Sequence, residues 1–356
     1  SLRSVLSDRL TGYNPITGTA LGSHDVHLTL DASLNETAYA ALNGHKGVVA
    51  VYDYTTGDIK CLVSSPSYDP NNPPSDINEN SAYEGVYLNR FFSSTYPPGS
   101  VFKIITTAAA IEEKDDLDQF RYTCTGSLEV GGDVITCPYA HGADMDINQC
   151  LACSCNGAYA TLAMELGGST LAKYVEQAGL LDSLNVNGIS TASGSFVAEE
   201  DGSAYLGWSG VGQDKDLVNP CSLLAFMGSI ANEGEAVVPN LVGSETIGGT
   251  SLPAALPDGK DTYETYSAET WQRLKEMMRN NVVTEYGQSQ FGDLAVCAKS
   301  GTAEVGGGAE PHAWFAGFID DPDHPLAFVV LVENGSAGAR VAGSVAAQVL
   351  AQATAE

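Results

Sequence analysis

A chain of 356 residues can bury a large core as one domain or two, and with hydrophobic residues at 44% and charged residues at 17% it is not a disordered polymer. Sixteen Lys and Arg against 44 Asp and Glu leave a formal charge of −28, which repels nucleic acid and anionic lipid headgroups alike and excludes nucleic acid as a partner. Any anion the protein binds must be held by a local cluster of cations, and no apolar run, the longest being residues 326–332, approaches the ~18 residues of a membrane span.

Residues 1–25 are polar, interrupted by Gly and Pro, and without a period; they read as the tail of a missing neighbour. Residues 26–30 alternate like a strand, and Asp31 then caps a helix through Leu42 that ends at Gly44. Residues 47–54 and 59–64 read as two strands around the turn Thr55-Thr56-Gly57-Asp58. A loop rich in Pro and Asn comes next, over residues 65–74.

The stretch Tyr96-Pro97-Pro98-Gly99-Ser100-Val101-Phe102-Lys103 runs from residues that cannot propagate a helix into good helix formers at 101–113. This predicts Ser100 near the N-cap and Lys103 one turn on, sharing its face. A serine hydroxyl beside a desolvated lysine is a nucleophile with an adjacent base.

Beyond that helix the middle of the chain is mostly helical. Eight cysteines stand at 61, 124, 137, 150, 153, 155, 221 and 297. Cys124 and Cys137 flank a Gly-Gly hairpin at 128–135, so antiparallel pairing is expected to bring them close enough for a disulfide. A four-sulfur zinc site joining them to Cys150-x-x-Cys153 ranks well below, because one such pair without a second is a weak signal. Cys61 and Cys297 lie in apolar, strand-like runs and are expected as small buried hydrophobes.

Ser154-Cys155-Asn156 leads into a helix at 156–166, and Gly212-Gln213 with Asn219-Pro220 leads into an apolar helix at 222–232. Residues 243–265 read as a polar linker, after which Ser267 caps a helix whose Trp271, Leu274, Met278 and Val282 form one core face. Strands return at 294–304, 313–319 and 326–333, with a turn at 320–325, and a helix at 341–353 closes the chain. The first of these strands carries Lys299-Ser300-Gly301-Thr302. Strands at both ends with helices between predict an α+β fold: one antiparallel sheet of N- and C-terminal strands, flanked by helices, with a large helical insertion.

Ser100-x-x-Lys103, Ser154-Cys155-Asn156 and Lys299-Ser300-Gly301-Thr302, in this order, match the set carried by penicillin-binding proteins and serine β-lactamases. From about Gly47 to the C-terminus the chain resembles the transpeptidase domain of class B penicillin-binding proteins, and Leu88-Asn89-Arg90 resembles that family's approach to the nucleophile. The resemblance implies a transpeptidase domain over 46–356, with 1–45 a linker and the remnant of an upstream pedestal. It also implies an N-terminal anchor outside this sequence and a place on the extracytoplasmic face of the bacterial membrane.

The implied activity is peptidoglycan D,D-transpeptidation, covalently inhibited by β-lactams. Ser100 would be the nucleophile and Lys103 its base, Ser154 would pass the proton on, and Asn156 would hold the substrate amide. Lys299 would supply positive charge around Ser154, Ser300 and Thr302 would grip the terminal carboxylate, and Gly301 would let substrate lie against the strand. Backbone N–H groups of Ser100 and Thr302 would form the oxyanion hole. Ser300 stands where threonine is commoner, which keeps the hydroxyl. No cofactor or metal is implied; the implied partners are a stem peptide ending in D-Ala-D-Ala, β-lactams and a membrane glycan polymerase.

The rivals are a D,D-carboxypeptidase, a serine β-lactamase and a β-lactam sensor domain. Against the lactamase, no Glu-x-x-Leu-Asn lies between Ser154 and Lys299. His312 sits on the strand after the Lys299 motif and is not expected to take part, because serine–lysine chemistry needs no histidine.

Overall fold

The computed structural model describes residues 2–6, 16–17, 24–247, 250–253 and 261–355. Its centre is a five-stranded antiparallel sheet of β1 (Gly47–Asp53), β2 (Ile59–Ser65), β3 (Val296–Ala303), β4 (His312–Ile319) and β5 (Leu326–Val332), in the order β3-β4-β5-β1-β2. The expected pairing of the first hairpin with the last three strands holds, with Val49 opposite Val330. β5 is buried at every position and β1 at all but its last, which is why both read as unbroken apolar runs rather than alternations. β2 alternates buried and half-buried residues because it is an edge with one covered face. The β1–β2 turn is held by Asp53, whose Oδ1 accepts the backbone N–H of Thr55 and Thr56 at 2.8 and 3.0 Å.

One face of the sheet packs on the helix Ala32–Ala41 and the C-terminal helix Gly343–Ala353, through Leu34, Ala38, Val345 and Val349. The other packs on the helices Lys103–Glu113 and Pro220–Ala231. All twelve residues of Pro220–Ala231 are buried, so this is the central helix of the molecule; Asn219 caps it, accepting from the N–H groups of Cys221 and Ser222. A third apolar cluster joins Leu117, Met145, Ile147 and Cys155 to Leu162 in the insertion between β2 and β3. Cys61 and Cys297 are fully buried, as expected.

The structure departs from expectation in the stretch read as a polar linker. Val242–Ile247 pairs with His24–Leu28 and with Thr250–Pro253, and Thr262–Glu264 pairs with Glu235–Val237. The partner strand lies more than 200 residues away, so local composition carried no trace of it. Residues 248–249 and 254–260 of that stretch, and 1, 7–15 and 18–23 of the expected N-terminal tail, lie outside the described residues.

Candidate active site

Pro97, Pro98 and Gly99 do stop the chain from entering a helix, but the next residues form a tight 3-10 turn over Gly99–Phe102, with the α-helix starting only at Lys103. Ser100 therefore lies inside the turn rather than at an N-cap. In a 3-10 turn, residues three apart eclipse one another, and Ser100 Oγ and Lys103 Nζ are 2.9 Å apart. Gly99 adopts φ +54°, and a Cβ there would stand 2.6 Å from the Thr302 carbonyl oxygen, so glycine is what lets this turn abut β3.

Ser154 sits between the helices Ile147–Ala152 and Asn156–Leu166 with φ +58°, a left-handed conformation uncommon for a residue with a side chain. Its N–H donates to the Leu151 carbonyl at 3.2 Å and that of Cys155 to the Cys150 carbonyl at 3.0 Å, the paired bonds of a Schellman helix ending. Glycine usually holds that position. A serine there carries roughly 1 kcal/mol of strain, which fits a side chain kept for what it does. The turn aims Ser154 Oγ between two amines, 3.0 Å from Lys103 Nζ and 3.0 Å from Lys299 Nζ.

Lys103 Nζ also lies 2.7 Å from the Ser154 carbonyl oxygen and 2.8 Å from Asn156 Oδ1. With Ser100 and Ser154 Oγ it thus has four oxygen neighbours. An ammonium can only donate, to three of them at most, whereas a neutral amine can accept one O–H and donate to two others. Burial favours the second arrangement. Both lysines are fully buried, and Lys103 is held well below the usual lysine range first by desolvation and then by repulsion from Lys299. Lys299 is pulled down to about 7, chiefly by desolvation. Asn156 is fixed from its other end, Nδ2 donating to the Thr136 carbonyl at 2.8 Å.

Lys299 and Ser300 lie on β3, the outer strand of the sheet. The cleft beside it, about 470 Å³, is lined by Ser100, Ser154, Asn156, Ser300 and Thr302, with one wall from Thr136 to Tyr139 and another from Trp208 and Gln213. Glu304 is the carboxylate on its lining. The space beside Gly301 is not left for a ligand: a Cβ there would be 2.9 Å from both the Pro98 carbonyl oxygen and Val101 Cγ2. Gly301 thus lets the Ser100 turn close on β3, a different reason from the one expected. His312 stays apart, its Nδ1 accepting from the Asn334 N–H at 3.1 Å.

Two side chains outside the three catalytic motifs, Tyr286 and Arg90, complete the site. The Tyr286 hydroxyl accepts from the Ser300 N–H at 3.1 Å, lies 3.1 Å from Ser300 Oγ, and takes a 3.3 Å bond from Lys299 Nζ. Burial pushes that phenol up to about 12, so it stays neutral. Arg90, nearly fully buried, donates from Nε to Glu333 Oε1 at 2.7 Å, and the Tyr96 hydroxyl reaches the same oxygen at 2.8 Å, tying the segment before Ser100 to the end of β5. Only Arg90 was within a stretch the sequence singled out.

The expected Cys124–Cys137 disulfide is absent; both thiols are free. The hairpin is there, Ser127–Val130 with Asp133–Thr136, but Cys124 lies outside it in a second ribbon, opposite Gly142. That turns its sulfur to His141 Nδ1 at 3.3 Å, while the Cys137 sulfur faces Cys155 at 3.9 Å. Cys150 and Cys153 turn away toward Met145.

The pattern that describes the penicillin binding protein transpeptidase domain matches residues 47–353. The peptidoglycan D,D-transpeptidase PbpA of Mycolicibacterium smegmatis is 30% identical, the alignment covering 98% of this chain and 74% of that one. Penicillin-binding protein A from M. tuberculosis, solved as its penicillin G acyl-enzyme complex, has the same fold at 26% identity, covering 99% of this chain and 85% of that one with a TM-score of 0.83. The D,D-transpeptidase domain of a peptidoglycan glycosyltransferase from Eggerthella lenta is similar at 25% identity, 99% and 86% coverage and a TM-score of 0.83.

Proposed function

The chain belongs to the penicillin-binding protein transpeptidase domain family, and from that premise we propose that it is a serine D,D-transpeptidase that cross-links peptidoglycan stem peptides and is acylated by β-lactams. The observation that carries this is the buried cluster in which Lys103 Nζ meets Ser100 Oγ, Ser154 Oγ and Asn156 Oδ1 within 3.0 Å.

The chemistry runs through these groups. Neutral Lys103 takes the Ser100 proton as Oγ attacks the penultimate D-Ala carbonyl, and the backbone N–H groups of Ser100 and Thr302 receive the oxyanion. Ser154, touching both lysines, returns a proton to the departing D-Ala amine. Lys299 keeps the potential around Ser154 positive, and the Ser300 and Thr302 hydroxyls bind the substrate's terminal carboxylate, the local anion site that a chain of charge −28 needs. The Ser100 ester is then opened by an amine of a neighbouring stem, whose proton leaves by the same path in reverse. The substrate backbone lies along the outer edge of β3, and Asn156 binds its amide.

We assign 46–356 to this domain and 1–45 to a linker and remnant of an upstream pedestal, with the helix Ala32–Ala41 docked on the sheet. The domain works on the extracytoplasmic face of the membrane, held by an anchor outside this sequence and partnered by a glycan polymerase, as its class implies.

Mixing the protein with benzylpenicillin and recording intact mass over time tests the reading. A one-to-one adduct lasting beyond minutes, mapped to the Ser100 peptide and absent from Ser100→Ala, is expected. Rapid loss of the adduct with many-fold drug turnover would mean a β-lactamase. Release of D-Ala from a stem-peptide mimic, dependent on an acceptor amine, then separates the transpeptidase from a carboxypeptidase or a sensor.

A further inference from the structure

One wall of the cleft holds a convergence that acyl transfer does not use. The sulfurs of Cys124, Cys137 and Cys155 and a ring nitrogen of His141 all lie within 4.8 Å of one another. They come from four different places: the end of the strand Tyr122–Cys124, the loop after Asp133–Thr136, the residue before Gly142–Met145, and the N-cap of the helix Asn156–Leu166. We propose that these four side chains form a closed, tetrahedral zinc site that fastens the hairpin wall to the Ser154–Asn156 turn.

The cluster is compact enough for its four ligand atoms to share one tetrahedral ion. Zn–S bonds of about 2.3 Å and Zn–N bonds of about 2.0–2.1 Å place ligand atoms ~3.8 Å apart for S···S and ~3.6 Å for S···N. Cys137 and Cys155 are 3.9 Å apart, and Cys124 and His141 Nδ1 3.3 Å. A disulfide needs sulfurs at about 2.05 Å and leaves the imidazole and third thiol facing it without purpose. Three soft thiolates and one imidazole select zinc over hard cations. Four protein ligands leave no open position, so the metal is structural and not a catalyst of the transfer. The backbone N–H groups of Asn156 and Gly157 beside the Cys137 sulfur, and that of Ala158 beside the Cys155 sulfur, favour the thiolate form a metal needs.

The surrounding chain needs such a fastening. In the hairpin Ser127–Val130 with Asp133–Thr136 only Ile135 is buried, and an isolated two-stranded ribbon is barely stable in water. Yet its end does fine positioning: the Thr136 carbonyl, next to Cys137, holds the Asn156 amide, and Cys155 lies between Ser154 and Asn156. A metal joining Cys137 to Cys155 ties these two points together. It also keeps three thiols reduced in a compartment that oxidises them.

The test begins with the metal content of the purified protein: about one zinc per chain is expected, surviving gel filtration and lost from Cys137→Ser and His141→Ala. Cys153→Ser, outside the cluster, should keep it. Because those variants are open to misfolding, the wild-type protein supplies a second readout: after chelation, cobalt(II) should give the thiolate charge-transfer and intense visible bands of a tetrahedral sulfur-rich site. Chelation should also lower the melting temperature and slow acylation by fluorescent penicillin, both restored by zinc. Protein free of zinc that gives no tetrahedral cobalt spectrum would overturn the proposal. So would zinc retained in both ligand variants, or a disulfide within the cluster in protein kept from air.

Discussion

Replacing Lys299 by Met tests whether the positive end of the site is held at the expense of the fold. Lys299 is fully buried, and desolvation lowers its pKa from 10.5 to about 7. Below pH 7 both folded and unfolded states carry the proton and the full cost of burying it is present, roughly 5 kcal/mol for a shift of that size. Between about 7 and 10.5 the unfolded lysine holds a proton that the folded one lacks, so stability rises with pH by about 1.4 kcal/mol per unit. Above 10.5 neither state is charged and the cost has gone.

Methionine fills a similar volume without titrating. It forfeits three hydrogen bonds, to Ser154 Oγ, the Ser300 carbonyl and Tyr286, worth about 1 kcal/mol each. At pH 7 the variant should therefore be more stable than the parent by roughly 2 kcal/mol, and the gap should close and reverse as pH rises. Urea unfolding at pH 7, 8 and 9 measures this. Acylation by fluorescent penicillin should meanwhile fall by about 10²-fold or more, since Ser154 loses its cationic neighbour. A variant less stable than the parent at pH 7, with a gap that does not change with pH, would refute the reasoning.

For Lys103, whose pKa is also depressed by burial, the acylation rate should rise with pH along a limb well below the ordinary lysine value of 10.5; a limb centred near 10.5 would rule out a neutral amine as the base. In Lys299→Met that limb should move to higher pH, because the repulsion from Lys299 is removed. Gly301→Ala places a methyl group against the Pro98 carbonyl and Val101, and should cost about 1–3 kcal/mol by thermal unfolding and slow acylation by displacing Ser100; unchanged kinetics would mean the turn is free to retreat. Arg90→Met strands Glu333 half-paired in the interior, with an expected loss of about 3–5 kcal/mol that Glu333→Gln in the same chain partly restores; equal losses in the single and double variants would contradict a buried ion pair.

What the sequence determined by itself was whatever short-range physics sets. Asp31 and Ser267 read as caps because a side-chain oxygen three residues before an N–H has few other uses there, and both accept the expected bonds. The sheet strands were legible from their runs of β-branched and aromatic residues, and the three motifs from their spacing. The turn at Ser100 was legible only as a helix start: a 3-10 turn and an N-cap share the same composition, and Gly99 against β3 decides between them.

Tertiary structure decided what depends on partners far along the chain. Tyr286 looks like any aromatic near a helix end until β3 brings the Ser300 N–H to its hydroxyl. Val242–Ile247 looks like linker until His24–Leu28 lies beside it. The cysteines show the limit most sharply, since spacing alone offered Cys124–Cys137 and Cys150–Cys153 as natural pairs. The fold instead gathers Cys124, Cys137, His141 and Cys155, because the direction in which each side chain leaves its strand or helix end is set by packing and not by its place in the sequence.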